Sequence, residues 1–239
     1  MPIDSAQPLD FQDAPPATLQ TLQIRQDGPW LTARFAAPQR MLSWAIVGGG
    51  RHRTRDVAWL QVRDGDLRPP LDAREFLHER LRERGLGEAV GLMTSASVAT
   101  YTDRCVRWGE FGARCIATVG MGNALRAGDP PGTAARIGTI NLLCALDHPL
   151  GEDAHLEALA LAAEARALAV READIPSTRS GEPSSGTGTD CIVIAAPDLS
   201  GGARYAGKHT ELGHVLGAAV YAAVSQGLTR WNAMHARKG

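Results

Sequence analysis

Apolar residues in this chain cluster in short continuous runs, and several of those runs break abruptly into Gly, Ser, Thr, Asn or Asp. Leu22 to Arg25 and Trp30 to Phe35 predict two strands around the turn signal Asp27-Gly28-Pro29. Met41 to Val47 predicts a strand that ends at Gly48-Gly49-Gly50, and Val57 to Val62 another. Ala89 to Met93, Arg114 to Val119, Thr139 to Leu146 and Cys191 to Ala195 are apolar enough to suit strands buried on both faces. Helical spacing appears over Asp72 to Arg84, closed by Gly85 and Gly87. Glu152 to Ala173 carries a stripe of Leu156, Leu159, Ala160, Ala163, Ala167 and Val170. Glu211 to Ser225 is a third helix, rich in small residues, which must pack closely within the domain or against a second subunit.

Together these elements predict an α/β fold: a single layered domain with mixed β-sheet of long apolar strands flanked by helices. The domain is expected over residues 21–230. Residues 1–20, with Pro2, Pro8, Pro15 and Pro16, read as a flexible or extended tail, and residues 231–239 as a C-terminal tail.

Composition narrows the class. The 239 residues hold 25 Lys+Arg against 26 Asp+Glu, a formal net charge of -1, which does not favour a partner such as nucleic acid that is bound through its phosphates. The longest run free of polar side chains, Val215 to Val224, is well short of the roughly 20 residues that span a bilayer. A soluble, cytoplasmic protein without membrane insertion is expected. The four cysteines, Cys105, Cys115, Cys144 and Cys191, have no CxxC spacing and read as reduced core thiols.

Four strand ends share one composition: Met93 to Ser97, Gly120 to Ala124, Thr139 to Asn141 and Gly186 to Asp190. Such segments form ordinary turns, and they also expose backbone NH groups and small polar side chains to ligands. Gly186-Thr187-Gly188-Thr189-Asp190 lacks the Gly-Lys-Ser/Thr end of a phosphate loop. His209 and His214 are five apart rather than four, so they do not make the HExxH zinc pattern, and no metal site is expected. Thr210 is placed to cap the helix that follows.

Five strings now stand in order: Gly91 to Ala96, Ala117 to Ala124, Gly138 to Asn141, Gly186 to Asp190 and Tyr205 to Gly213. As a set they resemble the adenosylcobinamide amidohydrolase family, over about Leu42 to Leu228. The resemblance implies a hydrolase of a linear amide. It would remove the aminopropanol arm of adenosylcobinamide to give adenosylcobyric acid, for salvage into coenzyme B12. It implies a corrinoid small-molecule partner and no separate cofactor, since the substrate itself carries cobalt. A homo-oligomer is compatible with it. Rival readings are a corrinoid-binding protein without hydrolytic activity and a hydrolase of another amide or ester.

Amide hydrolysis needs a nucleophile, an oxyanion partner and a proton for the leaving amine. The expected catalytic set is His209 as general base then acid, with Asp190 orienting it and Thr187 or Thr189 as nucleophile or carbonyl grip. Asn123, with the backbone NH groups of Gly120 and Gly122, is expected to meet the oxyanion. Attack by a water activated by His209 or Asp190 is equally consistent. Thr94, Ser95, Gly120, Gly122, Asn141, Gly186, Gly188, Lys208 and Glu211 are the expected substrate-binding residues. Trp44, Trp59, Trp108 and Met121 are candidate apolar walls.

Overall fold

The computed structural model describes residues 17–63, 65–67, 70–132 and 137–235. In chain order the elements are α1 (Ala17–Gln20), β1 (Gln23–Asp27), β2 (Trp30–Ser43), β3 (Gly50–Gln61), α2 (Ala73–Glu83) and β4 (Val90–Thr94). A 3-10 turn at Val98–Thr100 leads into β5 (Thr102–Trp108), β6 (Phe111–Val119), β7 (Ala124–Leu125) and β8 (Ile140–Leu146). Then come α3 (Glu152–Glu172), β9 (Gly186–Thr187), β10 (Cys191–Pro197) and α4 (Glu211–His235).

One eight-stranded mixed sheet runs in the order β4-β3-β2-β10-β8-β6-β5, with β1 pairing β2 off this path. The β3/β4 and β8/β10 pairs are parallel and the others antiparallel. Asp27 pairs with Trp30, so Gly28-Pro29 is a two-residue turn. Gly28 there takes φ +57°, which glycine adopts without strain.

Residue parity sorts the core. Leu142, Cys144 and Leu146 of β8 face the alanines of α3 and the apolar stripe of α4. Leu143 and Ala145 of the same strand point the other way, into a cluster with Leu31, Val57, Trp59 and Leu92. Behind β3 and β4, Ala58 and Leu60 meet Leu77 and Leu81 of α2. That helix starts on Asp72, whose Oδ1 accepts from the Arg74 and Glu75 NH groups at 2.8 and 2.9 Å. It lies so close to β4 that a Cβ on Gly91 would stand 2.7 Å from Leu81 Cδ1.

The sheet also bends back on itself. Asn141 of β8 donates through Nδ2 to the Met93 carbonyl of β4 at 2.6 Å, although these strands are four steps apart in the sheet. A flat sheet would hold them roughly 19 Å apart at the usual strand spacing. The curl therefore brings the ends of β4, β8 and β10 to one rim, and the site lies there.

Several boundaries differ from expectation. Met41 to Val47 is not a separate strand: β2 runs through to Ser43, with a register shift between Arg34 and Gln39. Helix α4 continues to His235, so the expected tail from 231 is helical as far as the described residues go. The N-terminal tail is anchored before residue 21: Leu19 is buried, and its carbonyl accepts from Arg114 Nη1 at 3.1 Å. Residues 1–16 and 236–239 lie outside the described residues. The small residues of α4 pack within the domain, where a Cβ on Gly227 would stand 2.9 Å from Val119 Cβ. No described helix is long and apolar enough to cross a membrane.

Candidate active site

All four polar strand ends converge. The Gly186–Asp190 segment pairs with the Asn123 segment through the short β7/β9 ladder, and the Gly188 NH donates to the Asn123 carbonyl at 3.3 Å. The Gly120 NH donates to the Thr139 carbonyl at 2.9 Å. Thr139 Oγ1 lies 2.8 Å from the Thr189 carbonyl and 3.1 Å from Asn141 Oδ1. Asn141 then reaches across to Met93, next to Thr94 and Ser95. Close approach requires glycine at two of these points. A Cβ on Gly138 would stand 2.6 Å from the Gly122 and Asn123 nitrogens, and one on Gly188 would stand 2.8 Å from Asn123 Nδ2.

Two adjoining cavities open on this rim. The smaller, about 460 Å³, has polar lining from Thr94, Ser95, Asn123, Asn141, Thr189 and Asp190. Its apolar wall includes Trp44, Leu92 and Ile137. Trp44 is 48% exposed and held in place by its indole NH, which donates to the Asp190 carbonyl at 2.6 Å. The larger cavity, about 1540 Å³, shares Val62, Arg63, Ser95, Asn123 and Ile137 with the smaller and extends past Gly120, Met121 and Gly122 to Trp231, Met234 and His235. Ser95 and Asn123 thus stand at the junction. Among the described residues, neither the Ser95 hydroxyl nor the Asn123 side-chain amide has a hydrogen-bond partner within the protein.

The Asp190 side chain is 5% exposed and heavily engaged. Its Oδ1 accepts from the Ile140 NH at 2.9 Å and from Thr187 Oγ1 at 2.5 Å; its Oδ2 accepts from the Thr187 NH at 2.9 Å and from Arg166 Nη1. These donors use the carboxylate's acceptor capacity, so Asp190 locks its loop onto α3 and β8. Thr187 is likewise a strut, and it lines neither cavity. Gly186 belongs to the same lock: a Cβ there would collide with Asp190 and Arg166. Thr189 does line the smaller cavity, with its hydroxyl donating to the Gly138 carbonyl at 2.9 Å. The Gly120 NH, spent on Thr139, is not free for an oxyanion.

The histidine expected to act as base lies elsewhere. His209 is exposed on the loop before α4 and lines neither cavity. Its neighbour Lys208 pairs with Glu164 at 2.5 Å, and Glu211 is exposed in the first turn of α4. These three do not join the cluster. The local reason is the docking of the loop: the Ala206 NH donates to Glu157 Oε2 at 2.7 Å, and Thr210 caps α4, its Oγ1 accepting from the Gly213 NH at 2.9 Å. Trp59 is core, and Trp108 stands edge-on to His214 with centroids 5.2 Å apart; neither forms a cavity wall, whereas Met121 does.

Sequence reasoning missed Arg166 and His235. Arg166 reads as a solvated helix charge, but its side chain is 16% exposed and its Nε is buried without a partner. His235 falls in a stretch expected to be a tail. Cys191 lines the smaller cavity; burial, reinforced by the Asp190 charge, pushes its thiol up to about 12, so it is not a thiolate nucleophile at neutral pH. Among the described residues no cluster of His, Cys, Asp and Glu is arranged to hold a metal ion.

A family model described as adenosylcobinamide amidohydrolase matches residues 15–236, nearly the whole chain. The chain belongs to the adenosylcobinamide amidohydrolase family. A curated relative, uncharacterized protein MJ1613 of Methanocaldococcus jannaschii, is 34% identical over 95 residues, which are 39% of this chain. The match covers 37% of that protein's length. Among solved structures, a beta-aminopeptidase of Burkholderia sp. aligns at 13% identity and TM-score 0.45, over 88% of this chain and 82% of that one. An L-aminopeptidase D-Ala-esterase/amidase of Ochrobactrum anthropi aligns at 12% identity and TM-score 0.41, over 87% and 82%.

Proposed function

We propose that this protein hydrolyses the aminopropanol amide of adenosylcobinamide, releasing aminopropanol and adenosylcobyric acid for salvage into coenzyme B12. The observation that carries this reading is the junction of the two cavities at Ser95 and Asn123. Ordinary small-ligand pockets span roughly 300–1,000 Å³. The larger cavity, at about 1540 Å³, exceeds that range and has room for a broad macrocycle. The smaller one is sized for a side arm. An amide linking ring and arm then falls at the junction.

In this reading the Asn123 amide donates to the amide oxygen as negative charge develops there. Ser95 holds the attacking water: its oxygen bonds to the amide carbon as the C–N bond breaks, and its hydrogens pass to the departing amine and to the acid product. Thr94, Thr189 and Asn141 line the arm pocket, and Trp44 and Ile137 cover its apolar side. Asp190, Thr187, Gly186 and Arg166 hold the loop that positions Thr189. His209, Lys208 and Glu211 act outside the cleft, shaping the loop that caps α4.

The test is direct. Purified protein incubated with adenosylcobinamide should release aminopropanol, detected by mass spectrometry alongside the acid product. Absence of product with this substrate, together with turnover of a simple amide or ester, would replace the corrinoid by another substrate. Binding of the corrinoid without any product would make the protein a carrier.

A further inference from the structure

His235 is the one histidine of the chain's seven that lines either of the two adjoining cavities. It occupies the last turn of α4 beside Trp231, with ring centroids 4.1 Å apart and planes at 22°. Its Nδ1 lies 2.8 Å from the Trp231 carbonyl oxygen. A carbonyl only accepts, so Nδ1 carries the proton in the neutral ring and Nε2 keeps its lone pair. Among the described residues Nε2 has no partner. An imidazole whose other nitrogen donates to a backbone carbonyl, and whose plane is fixed by stacking, is arranged as metal-binding histidines are.

Among the described residues no group of three or more His, Cys, Asp or Glu side chains could hold a metal ion, so this single imidazole suits a metal whose other positions are filled by its own carrier. Resting on the corrinoid reading of the cleft, one candidate is at hand. Cobinamide has no nucleotide base to occupy the lower axial position of its cobalt, which instead holds exchangeable water. The larger cavity offers the matching surroundings: Met121, Trp231 and Met234 give apolar contact to a corrin face, and the imidazole stands among them.

We propose that His235 binds the substrate's cobalt through Nε2, on the corrin face opposite the adenosyl group. The Nε2 lone pair forms the Co–N bond and the axial water leaves as water. The Co–C bond and the oxidation state of the metal are unchanged, so nothing else is consumed. The bond anchors the ring in the larger cavity and leaves the amide arm to reach the Ser95 and Asn123 junction. It selects corrinoids with a vacant or water-bound lower face over those whose own base occupies it.

Cob(II)inamide is the probe that tests this, since its unpaired electron lies along the cobalt axis. Added to the full-length protein, it should give an electron paramagnetic resonance spectrum in which each cobalt line splits into a triplet from one coupled nitrogen. In His235→Phe the triplets should disappear, and in His209→Phe they should persist. Retention of the probe on equilibrium dialysis without triplet splitting would overturn the ligation and leave the substrate reading standing. Triplets that survive in His235→Phe would overturn it equally. Failure of the wild-type protein to retain any cobinamide would remove the substrate reading itself, and the ligation with it.

Discussion

Arg166, in the middle of α3, donates through Nη1 to Oδ2 of Asp190, the residue immediately before β10. With side chains 16% and 5% exposed, the pair is shielded from water and pins a helix to the loop that forms one wall of the cleft. Breaking a buried pair by removing one partner leaves the other charge uncompensated, at a cost of about 3–5 kcal/mol. Asp190→Asn should therefore lose stability of that order in urea unfolding. The double change Asp190→Asn, Arg166→Met should lose less than the single one, because it strands no charge.

Asn123→Ala removes a side-chain donor that no group among the described residues satisfies. If that donor meets the oxyanion, kcat should fall by about 10²–10³-fold while the unfolding midpoint barely moves. Steady-state kinetics with adenosylcobinamide, set beside a denaturation curve, measure both.

His209 separates two accounts of the chemistry. A group that transfers the proton contributes roughly 10²–10⁴-fold. Exposed and outside both cavities, His209 should instead tolerate alanine with turnover changed by less than about tenfold. Loss of two orders of magnitude or more in the purified variant would return the imidazole to the mechanism.

The Cys191 thiol, raised by burial to about 12 from an ordinary value of 9.0, stays protonated in the folded protein. Alkylation of Cys191 by iodoacetamide at pH 8, followed by peptide mass mapping, should be far slower in native than in urea-unfolded protein. The sign of the pH effect follows. The contribution is fully present below the unfolded value near 9.0, where both states hold the proton. Between there and about 12 only the unfolded chain has released it, so stability declines as pH rises across that window.

Gly227→Ala would press a methyl group against Val119, which also lines the larger cavity. Overpacking of this kind costs about 1–3 kcal/mol. A lower thermal midpoint and weaker cobinamide retention should appear together.

The strands legible in the sequence were those with continuous apolar runs. Burial on both faces leaves no room for charge in β8, whose seven residues are all buried. Strand β5 has no such run because it is an edge strand at the end of the sheet, free to carry Asp103, Arg104 and Arg107. Strand β2 read as two strands because Pro38 and the register shift around it break the alternation. The convergence of four polar strand ends was readable as shared composition. The roles of Arg166 and His235 were not, because each depends on what α3 and α4 lie against rather than on neighbours in sequence. The place of His209 is hidden for the matching reason: a histidine beside family-like residues says nothing of which way its loop is docked.

The stitch from Asn141 to Met93 ties together strands from distant stretches of the chain. A cleft built this way has no existence in any fragment. It needs the whole ribbon closed, through pairings of long sequence separation whose closure entropy is met before their contacts repay it. Hydrogen exchange at β4 should consequently slow on ligand addition, with the outermost strand behaving as a latch that the occupant fastens.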